Sequence, residues 1–258
     1  EQTYTVTVNY QAVSNTVTLL NEDFGTGTEA VKSPYIGKDW YFNNNTTASY
    51  TTTNGKGQTK AHLANRYLEN QEYTIASAFI LNSNSNDWMV PADRSGDANG
   101  RKLFIDGHAT LTVETDLYLR EVSVLPNKPL TFTTDFFNII SLAKTPIANN
   151  PTVQPQVRLQ LYESEKAFND GNTPVKQTNI YHVPAGTGTS AADWKTQTLT
   201  LTATEVGNRT KLFAVIKMYN LQHSGHDLAV DNIVITQSLG ACTTSVTTTL
   251  TKGDVAKP

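Results

Sequence analysis

The sequence predicts an all-β protein built as an antiparallel β-sandwich. Many short segments rich in Val, Ile, Thr, Tyr and Phe are bounded by clusters of Asn, Gly, Pro or Asp, which is the pattern of strands separated by turns. Only two short segments have helical character, and many strands with almost no crossover helices favour antiparallel sheets. The 258 residues are enough for one large β domain with a buried core.

Ten segments have strand character, and two of them alternate most regularly. In residues 3–9 and 196–202 threonine occupies alternate positions, which is the two-residue period of a strand. The other predicted strands are 17–24, 73–81, 102–105, 117–124, 130–139, 156–162, 212–218 and 228–236. The two candidate helical turns are 164–169, which precedes a Gly-Asn-Thr-Pro stop, and 203–207.

The composition divides the chain into three parts. Residues 1–16 hold one strand-like segment followed by a linker-like stretch, and residues 241–258 form a Thr-rich tail without an aromatic residue. Such a tail has little apolar surface to offset its ordering entropy, so we expect a tail or linker there. The β-sandwich domain is therefore expected over residues 17–240.

Charge and composition exclude several kinds of partner and site. The net charge is −3, from 20 basic and 23 acidic residues, so the chain has no cationic footprint for nucleic acid or an anionic membrane. The single cysteine, Cys242, excludes a disulfide framework and a Cys-based zinc site. No apolar run approaches the ~18 residues of a membrane span, so no direct membrane insertion is expected. The wealth of uncharged polar residues favours a secreted or cell-surface protein.

Three ordered segments carry a family resemblance. Residues 19–28 read Leu-Leu-Asn-Glu-Asp-Phe-Gly-Thr-Gly-Thr, residues 93–103 open with Asp-Arg-Ser-Gly-Asp, and residues 226–235 end with Val-Asp-Asn-Ile-Val-Ile. This set resembles a jelly-roll module of secreted Bacteroidetes adhesins and gliding-type surface proteins. The last segment also resembles the final strand of carbohydrate-binding, galactose-binding-like jelly rolls. The resemblance implies a jelly roll whose first and last strands lie side by side.

The resemblance also implies a structural calcium ion. In the carbohydrate-binding relatives, an acidic residue from the first strand and one from the last hold the ion together with backbone carbonyls. The matching candidates here are Glu22 and Asp23 from the opening strand and Asp231 from the closing one. The relatives often place the opening acid after the Phe, where this chain has Gly25. Alternatively, Asp23 and Asp231 only accept hydrogen bonds from turns.

A second candidate calcium loop begins at Asp93. Oxygen-bearing side chains at positions 1, 3, 5 and 7 of this loop, including Asp93 and Asp97, can wrap a hard cation. The loop lacks the Gly at position 6 and the Glu at position 12 that an EF-hand requires. A tight turn without an ion also requires such a Gly/Asn/Asp cluster, so that alternative stays open.

Aromatic residues are the natural place to look for a sugar-binding site. Sugars stack their C–H faces on aromatic rings, while their hydroxyls bond to Asn, Asp, Arg and Gln. Trp88, with Asp87 beside it and Arg94 nearby, is the predicted ligand contact, and packing in the core is the alternative. Trp40 and Trp194 each begin a strand-like segment and are expected to pack between the two sheets.

The sequence contains no recognised catalytic motif. There is no Gly-x-Ser-x-Gly elbow, no His-Glu-x-x-His pair and no phosphate-binding Gly loop. We therefore predict a non-enzymatic, extracellular binding or adhesion module, a monomeric unit of a larger protein, which recognises a glycan or another cell-surface ligand and contains structural calcium. The alternatives are an architectural spacer that binds nothing and a polysaccharide hydrolase with an unrecognised carboxylate pair.

Overall fold

Two β-sheets packed face to face form most of the structure, which is a computed structural model. It describes residues 3–9, 15–63, 68–79, 88–107, 114–140, 154–219, 226–240 and 245–251. The strands are β1 (Thr3–Asn9), β2 (Thr16–Glu22), β3 (Tyr41–Phe42), β4 (Tyr50–Thr53), β5 (Thr59–His62), β6 (Glu72–Ala76), β7 (Lys102–Ile105), β8 (Glu114–Ser123), β9 (Leu130–Asn138), β10 (Gln156–Tyr162), β11 (Lys176–Gln177), β12 (Tyr181–His182), β13 (Lys195–Leu201), β14 (Lys211–Tyr219), β15 (Leu228–Ser238) and β16 (Ser245–Thr251). The helices are α1 (Glu165–Asn169) and α2 (Ala203–Val206), with a 3₁₀ turn at Ala191–Asp193.

The larger sheet has seven strands and the smaller has five. The larger runs β13–β9–β15–β7–β6–β3, with β2 also paired to β15. The smaller runs β11–β10–β14–β8, with β12 also paired to β10. Every pairing between described strands is antiparallel except β3 with β6. The predicted all-β antiparallel sandwich is confirmed.

The first and last strands of the sandwich lie side by side, as predicted. β2 runs antiparallel to β15 and places Glu22 opposite Ile233. The register of β15 against β9 shifts between Asp231 and Val234, and Asn232 has a φ of 48°. This bulge adds a residue to the strand, so that Val230 and Ile233 both point into the core although three positions separate them.

The main hydrophobic core lies between the two sheets. Alternating residues of the longer strands of both sheets enter it, as in β10, where Val157, Leu159 and Leu161 are buried in this cluster. Phe132 and Trp40 are among its largest side chains, and Trp40 is only 2% exposed. The expectation that Trp40 packs in the core is therefore confirmed.

A second hydrophobic cluster covers the other side of the larger sheet. Phe104, Phe137 and Ala229 project from three neighbouring strands, and Trp194 packs beside them at 5% exposure. The segment that contains Trp88, Met89 and Val90 folds over this cluster. Trp194 is therefore buried as predicted, but beneath a covering segment and not between the sheets.

The two ends of the chain pair with each other. β1 and β16 form a two-stranded antiparallel sheet in which Thr3 lies opposite Thr251. This differs from the expected C-terminal tail, because the β-branched Thr and Val residues of 245–251 favour an extended backbone once a partner strand is present. The predicted domain boundaries stay predictions.

Candidate functional site

A row of charged side chains crosses the covered side of the larger sheet. The strand register places Asp231 of β15 opposite Asp135 of β9, and Asp135 opposite Thr196 of β13. Lys102 follows in the same row, because its neighbour Leu103 pairs with Val230. Lys102 and Asp231 are only 2% and 1% exposed. Asp135, at 6% exposure, is also buried, so the row brings two carboxyl groups and one ammonium together with little contact with water.

The loop predicted as a calcium loop closes over this row. The Arg94 side chain donates from Nε to Asp135 Oδ2 at 3.1 Å, and its backbone N–H donates to Asp231 Oδ2 at 3.2 Å. Asp93 accepts from the backbone N–H of Ser95 at 2.8 Å. A Cβ on Gly100 would lie 2.2 Å from Cγ of Asp93, so only glycine fits there. The loop is thus fastened to the sheet through its acidic and basic residues.

Burial and a neighbouring acid shift the titration of Asp231. Loss of solvation, with the charge of Asp93 and a hydrogen bond with it acting in the same direction, raises the pKa of the Asp231 carboxyl to about 7. Burial also lowers the pKa of the Lys102 ammonium, against the attraction of Asp93 and Asp231. Two carboxyl groups in contact require either a shared proton or a cation between them.

The structure regroups the predicted calcium ligands. The two candidate sets were Glu22, Asp23 and Asp231 in one and Asp93 with Asp97 in the other. Asp93 and Asp231, from different sets, are in contact. Their oxygens suit a hard cation such as calcium.

The other predicted ligands make local contacts. Glu22 accepts from the backbone N–H of Phe24 at 3.1 Å, and Asp23 from that of Gly25 at 2.9 Å. Asp97 is exposed, and a hydrogen bond from the backbone N–H of Asn99 lowers the pKa of its carboxyl.

Trp88 is half-buried and points into the protein. Its indole N–H donates to Asp227 Oδ2 at 2.8 Å, and its ring packs edge-on against Phe79 at 5.6 Å between centroids. Asp227 is buried against Asp106, and burial together with Asp227 raises the pKa of Asp106 well above its ordinary value. Arg94, the second predicted ligand contact, is bound to Asp135, and Asp87 lies outside the described residues. The predicted role of these three residues in ligand binding stays a prediction.

A further cluster with metal-ligating chemistry lies near the hairpin β4–β5. His62, Glu69 and Glu72 place one ligand atom each so that all three lie within 4.8 Å of one another. The His62 and Glu72 side chains are 0% exposed. This cluster was not predicted from the sequence, because the spacing of His62, Glu69 and Glu72 matches no metal-binding motif.

The smaller sheet carries a polar and aromatic surface on the side away from the core. We call this surface the outer face. The pairing of β10 with its neighbours β11, β14 and β8 aligns the side chains into cross-strand rows. The outer face is formed by Glu114, Asp116, Gln156, Arg158, Gln160, Gln177, Lys217 and Tyr219.

Polar side chains on the outer face hold one another in fixed positions. Gln160 and Arg158 both donate to Gln177 Oε1, at 2.7 and 3.2 Å. Lys217 Nζ lies 2.9 Å from Asp116 Oδ1, and the Arg158 guanidinium lies 5.2 Å from the centre of the Tyr219 ring. Nε of Arg158 is buried and has no hydrogen-bond partner among the described residues. The sequence signal was the alternation of residues 156–162, of which only the apolar half was used for prediction.

An open cleft of about 590 Å³ lies at one end of the smaller sheet. Charged groups on its lining include Glu121, Glu163, Arg209 and Lys211. Glu121 pairs in register with Phe213, which places the cleft at the end of β8 and β14. The polar groups around Tyr219 lie at the other end of these strands, beyond a hydrophobic cluster that contains Phe213 and Val215.

Comparisons with known proteins give structural likenesses only. No protein-family model matches the chain, and no curated protein matches it. A Stig cyclase from Fischerella sp. TAU, in complex with an indole compound, has a TM-score of 0.46 at 13% identity, covering 87% of this chain and 98% of its own. The CBM22-1 xylan-binding domain from Paenibacillus barcinonensis has a TM-score of 0.35 at 10% identity, covering 89% and 100%. The K3 adhesin domain of Lys-gingipain from Porphyromonas gingivalis has a TM-score of 0.35 at 13% identity, covering 86% and 99%.

These neighbours include an enzyme as well as binding and adhesin domains, so they do not decide between catalysis and binding. Within the described residues, no helix has the length and apolar character needed to cross a membrane.

Proposed function

We propose that this chain is a non-catalytic extracellular module that binds glycans on the outer face. The observation that supports the proposal is the set of amide, guanidinium, carboxylate and phenol groups that the strand register brings together at one end of β10, β14 and β8. Glycan hydroxyls both donate and accept hydrogen bonds, so a surface that offers both kinds of group is suited to them.

The arrangement of the outer face favours an extended ligand. Arg158, Gln160 and Gln177 are already held by one another, so that little side-chain entropy remains to be lost on binding. The Tyr219 ring stands next to Arg158 and supplies an apolar face for stacking.

The predicted contact at Trp88, Asp87 and Arg94 is a second proposal for the glycan site. The indole N–H of Trp88 donates to Asp227, and the guanidinium of Arg94 donates to Asp135. Replacement of Trp88 by Ala separates the two: binding that survives this change and is lost with outer-face variants supports the outer face.

A glycan array followed by calorimetry on the tightest ligand tests the proposal. We expect Tyr219→Ala to weaken binding at least about tenfold, or ~1.4 kcal/mol, while Tyr219→Phe keeps the ring and stays close to wild type. Equal affinity of all three proteins would contradict binding at this face. Absence of binding to any glycan, with a normal melting temperature, favours the spacer. Release of reducing ends from a polysaccharide favours the hydrolase.

We also propose a structural calcium ion held by Asp93 and Asp231. It would tie the loop that begins at Asp93 to the last strand of the sandwich, which agrees with the contact between these two carboxyl groups. The Lys102 ammonium competes with the ion for the same carboxylates. Because a ligand of the native state stabilises it by mass action, removal of calcium with a chelator should lower the melting temperature of wild type and not of Asp231→Asn.

A further inference from the structure

Three metal-ligating side chains converge where the hairpin β4–β5 meets the larger sheet. His62 is the last residue of β5 and Glu72 the first of β6, while Glu69 lies in the connection just before β6. The hairpin forms its own two-stranded sheet. The three side chains therefore sit at a junction between two separately hydrogen-bonded units.

The distances suit a tetrahedral metal better than a direct hydrogen bond. His62 Nδ1 and Glu72 Oε1 are 3.4 Å apart, which is long for an N–H···O hydrogen bond. The same separation is the edge of a tetrahedron whose bonds are about 2.0–2.1 Å, the range for zinc with nitrogen and oxygen ligands. Glu69 completes a set of three ligand atoms within 4.8 Å of one another.

Two hydrogen bonds fix the orientation of the Glu72 carboxylate. Its Oε2 accepts from the Asn43 side-chain amide at 2.8 Å and from the backbone N–H of Glu69 at 3.0 Å. These bonds turn Oε1 towards His62, as outer hydrogen bonds do for metal-binding carboxylates. The His62 ring is also held in place, because it packs against the Tyr50 ring with 4.7 Å between the two ring centroids. Nε2 of His62 is buried without a hydrogen-bond partner among the described residues, so no hydrogen bond stabilises the ring on that side.

Lys60 supplies the positive charge that now balances this cluster. Its Nζ lies 3.3 Å from Glu72 Oε1 and 3.9 Å from Glu69 Oε2. The side chain is 23% exposed, so the ammonium can leave towards solvent. A divalent cation at the same place would accept lone pairs from both carboxylates and from the His62 nitrogen. An ammonium can only donate hydrogen bonds to these atoms.

We propose that His62, Glu69 and Glu72 form a zinc site, with Lys60 as the competing cation. One imidazole nitrogen and two carboxylates suit zinc, whereas calcium prefers oxygen ligands alone. Three protein ligands leave a fourth position for water. The bound ion joins the hairpin to the larger sheet and stabilises that junction, independently of ligand binding on the outer face.

Zinc binding to the full chain, first treated with a chelator, tests the proposal. Affinity is measured by competition with a chromophoric chelator, and Co²⁺ is added as a spectroscopic probe of tetrahedral coordination. We expect Lys60→Met to bind zinc about tenfold more tightly, because the competing ammonium is gone, and Glu69→Gln about tenfold more weakly. Lys56→Met is the matched control: Lys56 pairs with Asp39 in the same hairpin region and should leave affinity unchanged.

Misfolding cannot explain a higher zinc affinity of Lys60→Met, since a damaged fold does not bind a metal more tightly. Zinc that binds equally to wild type, Lys60→Met and Glu69→Gln is held elsewhere and overturns the proposal. Failure of the chelator-treated wild type and of Lys60→Met to bind zinc also overturns it. Intense visible absorption of the Co²⁺ form, lost in Glu69→Gln, supports it.

Discussion

Raising the pH should destabilise the calcium-free protein through Asp231. Its carboxyl has a pKa of about 7 in the folded chain, against an ordinary value of 3.8. The native state therefore keeps a proton that the unfolded chain has released over this interval. The free energy of unfolding then falls as the pH rises from about 4 to 7 and levels off above 7. At ~1.36 kcal/mol per pKa unit, the loss amounts to about 4 kcal/mol.

An asparagine at this position removes the titration but also one hydrogen-bond acceptor. Asp231 accepts from the backbone N–H of Arg94 through Oδ2 and from that of Asn232 through Oδ1. The amide of Asp231→Asn can accept only one of these bonds, which costs about 1 kcal/mol. The variant should therefore be less stable than wild type near pH 4 and more stable by about 3 kcal/mol at pH 8.

Urea unfolding followed by tryptophan fluorescence, at pH 4 to 8 with a chelator present, measures both curves. Asp97→Asn is the control, because this exposed carboxylate belongs to the same loop and should leave the wild-type slope in place. Parallel curves for wild type and Asp231→Asn would refute the argument. Added calcium should raise the free energy of unfolding of wild type above pH 6, because the cation replaces the proton between Asp93 and Asp231.

Three further predictions concern packing and local structure. Phe132→Ala removes a fully buried ring from the main core and should lower the free energy of unfolding by about 3–5 kcal/mol in guanidinium titrations. Gly100→Ala places a Cβ 2.2 Å from Asp93 Cγ, so its melting temperature should fall and added calcium should restore less of it than in wild type. Thr202→Ala removes the N-cap that accepts from the Glu205 backbone N–H, and differential scanning calorimetry should show a loss of about 1 kcal/mol.

The long strands could be predicted because their side chains alternate over enough residues. β10 shows this best, since Val157, Leu159 and Leu161 face the core while the residues between them face outward. Two-residue strands such as β3 and β11 have no period to detect. The pairing of β2 with β15 came from the family resemblance and is confirmed.

The C-terminal strand β16 shows what an argument from apolar surface leaves out. Its Thr-rich sequence has little to bury, but an antiparallel partner satisfies its backbone N–H and C=O groups. That partner, β1, is about 240 residues away in sequence, a separation over which a local pattern gives no information.

The candidate sites depended on contacts that the sequence does not encode locally. Asp93 and Asp231 were both identified as calcium ligands, but in different sites. They lie in segments that are far apart in sequence, and only the fold brings them together: the backbone N–H of Arg94 donates to Asp231, 137 residues away. The zinc candidate at His62 and Glu72 escaped notice because its ligands lie on two different strands. The alternation of polar residues on the outer face was visible, but no periodicity distinguishes a binding surface from a solvated one.

The proposed recognition surface and the proposed cation sites lie on opposite sides of the sandwich. Tyr219 and Arg158 face away from the core on the smaller sheet, whereas Asp231 lies on the covered side of the larger one. The main hydrophobic cluster separates them, and substitutions that far apart without shared partners have additive effects. Asp231→Asn should therefore change stability and leave glycan affinity unaltered below the melting transition. Tyr219→Ala should lower glycan affinity and leave stability unaltered. Loss of glycan affinity in Asp231→Asn at 10 °C would show instead that the ligand lies on the larger sheet, beside Arg94.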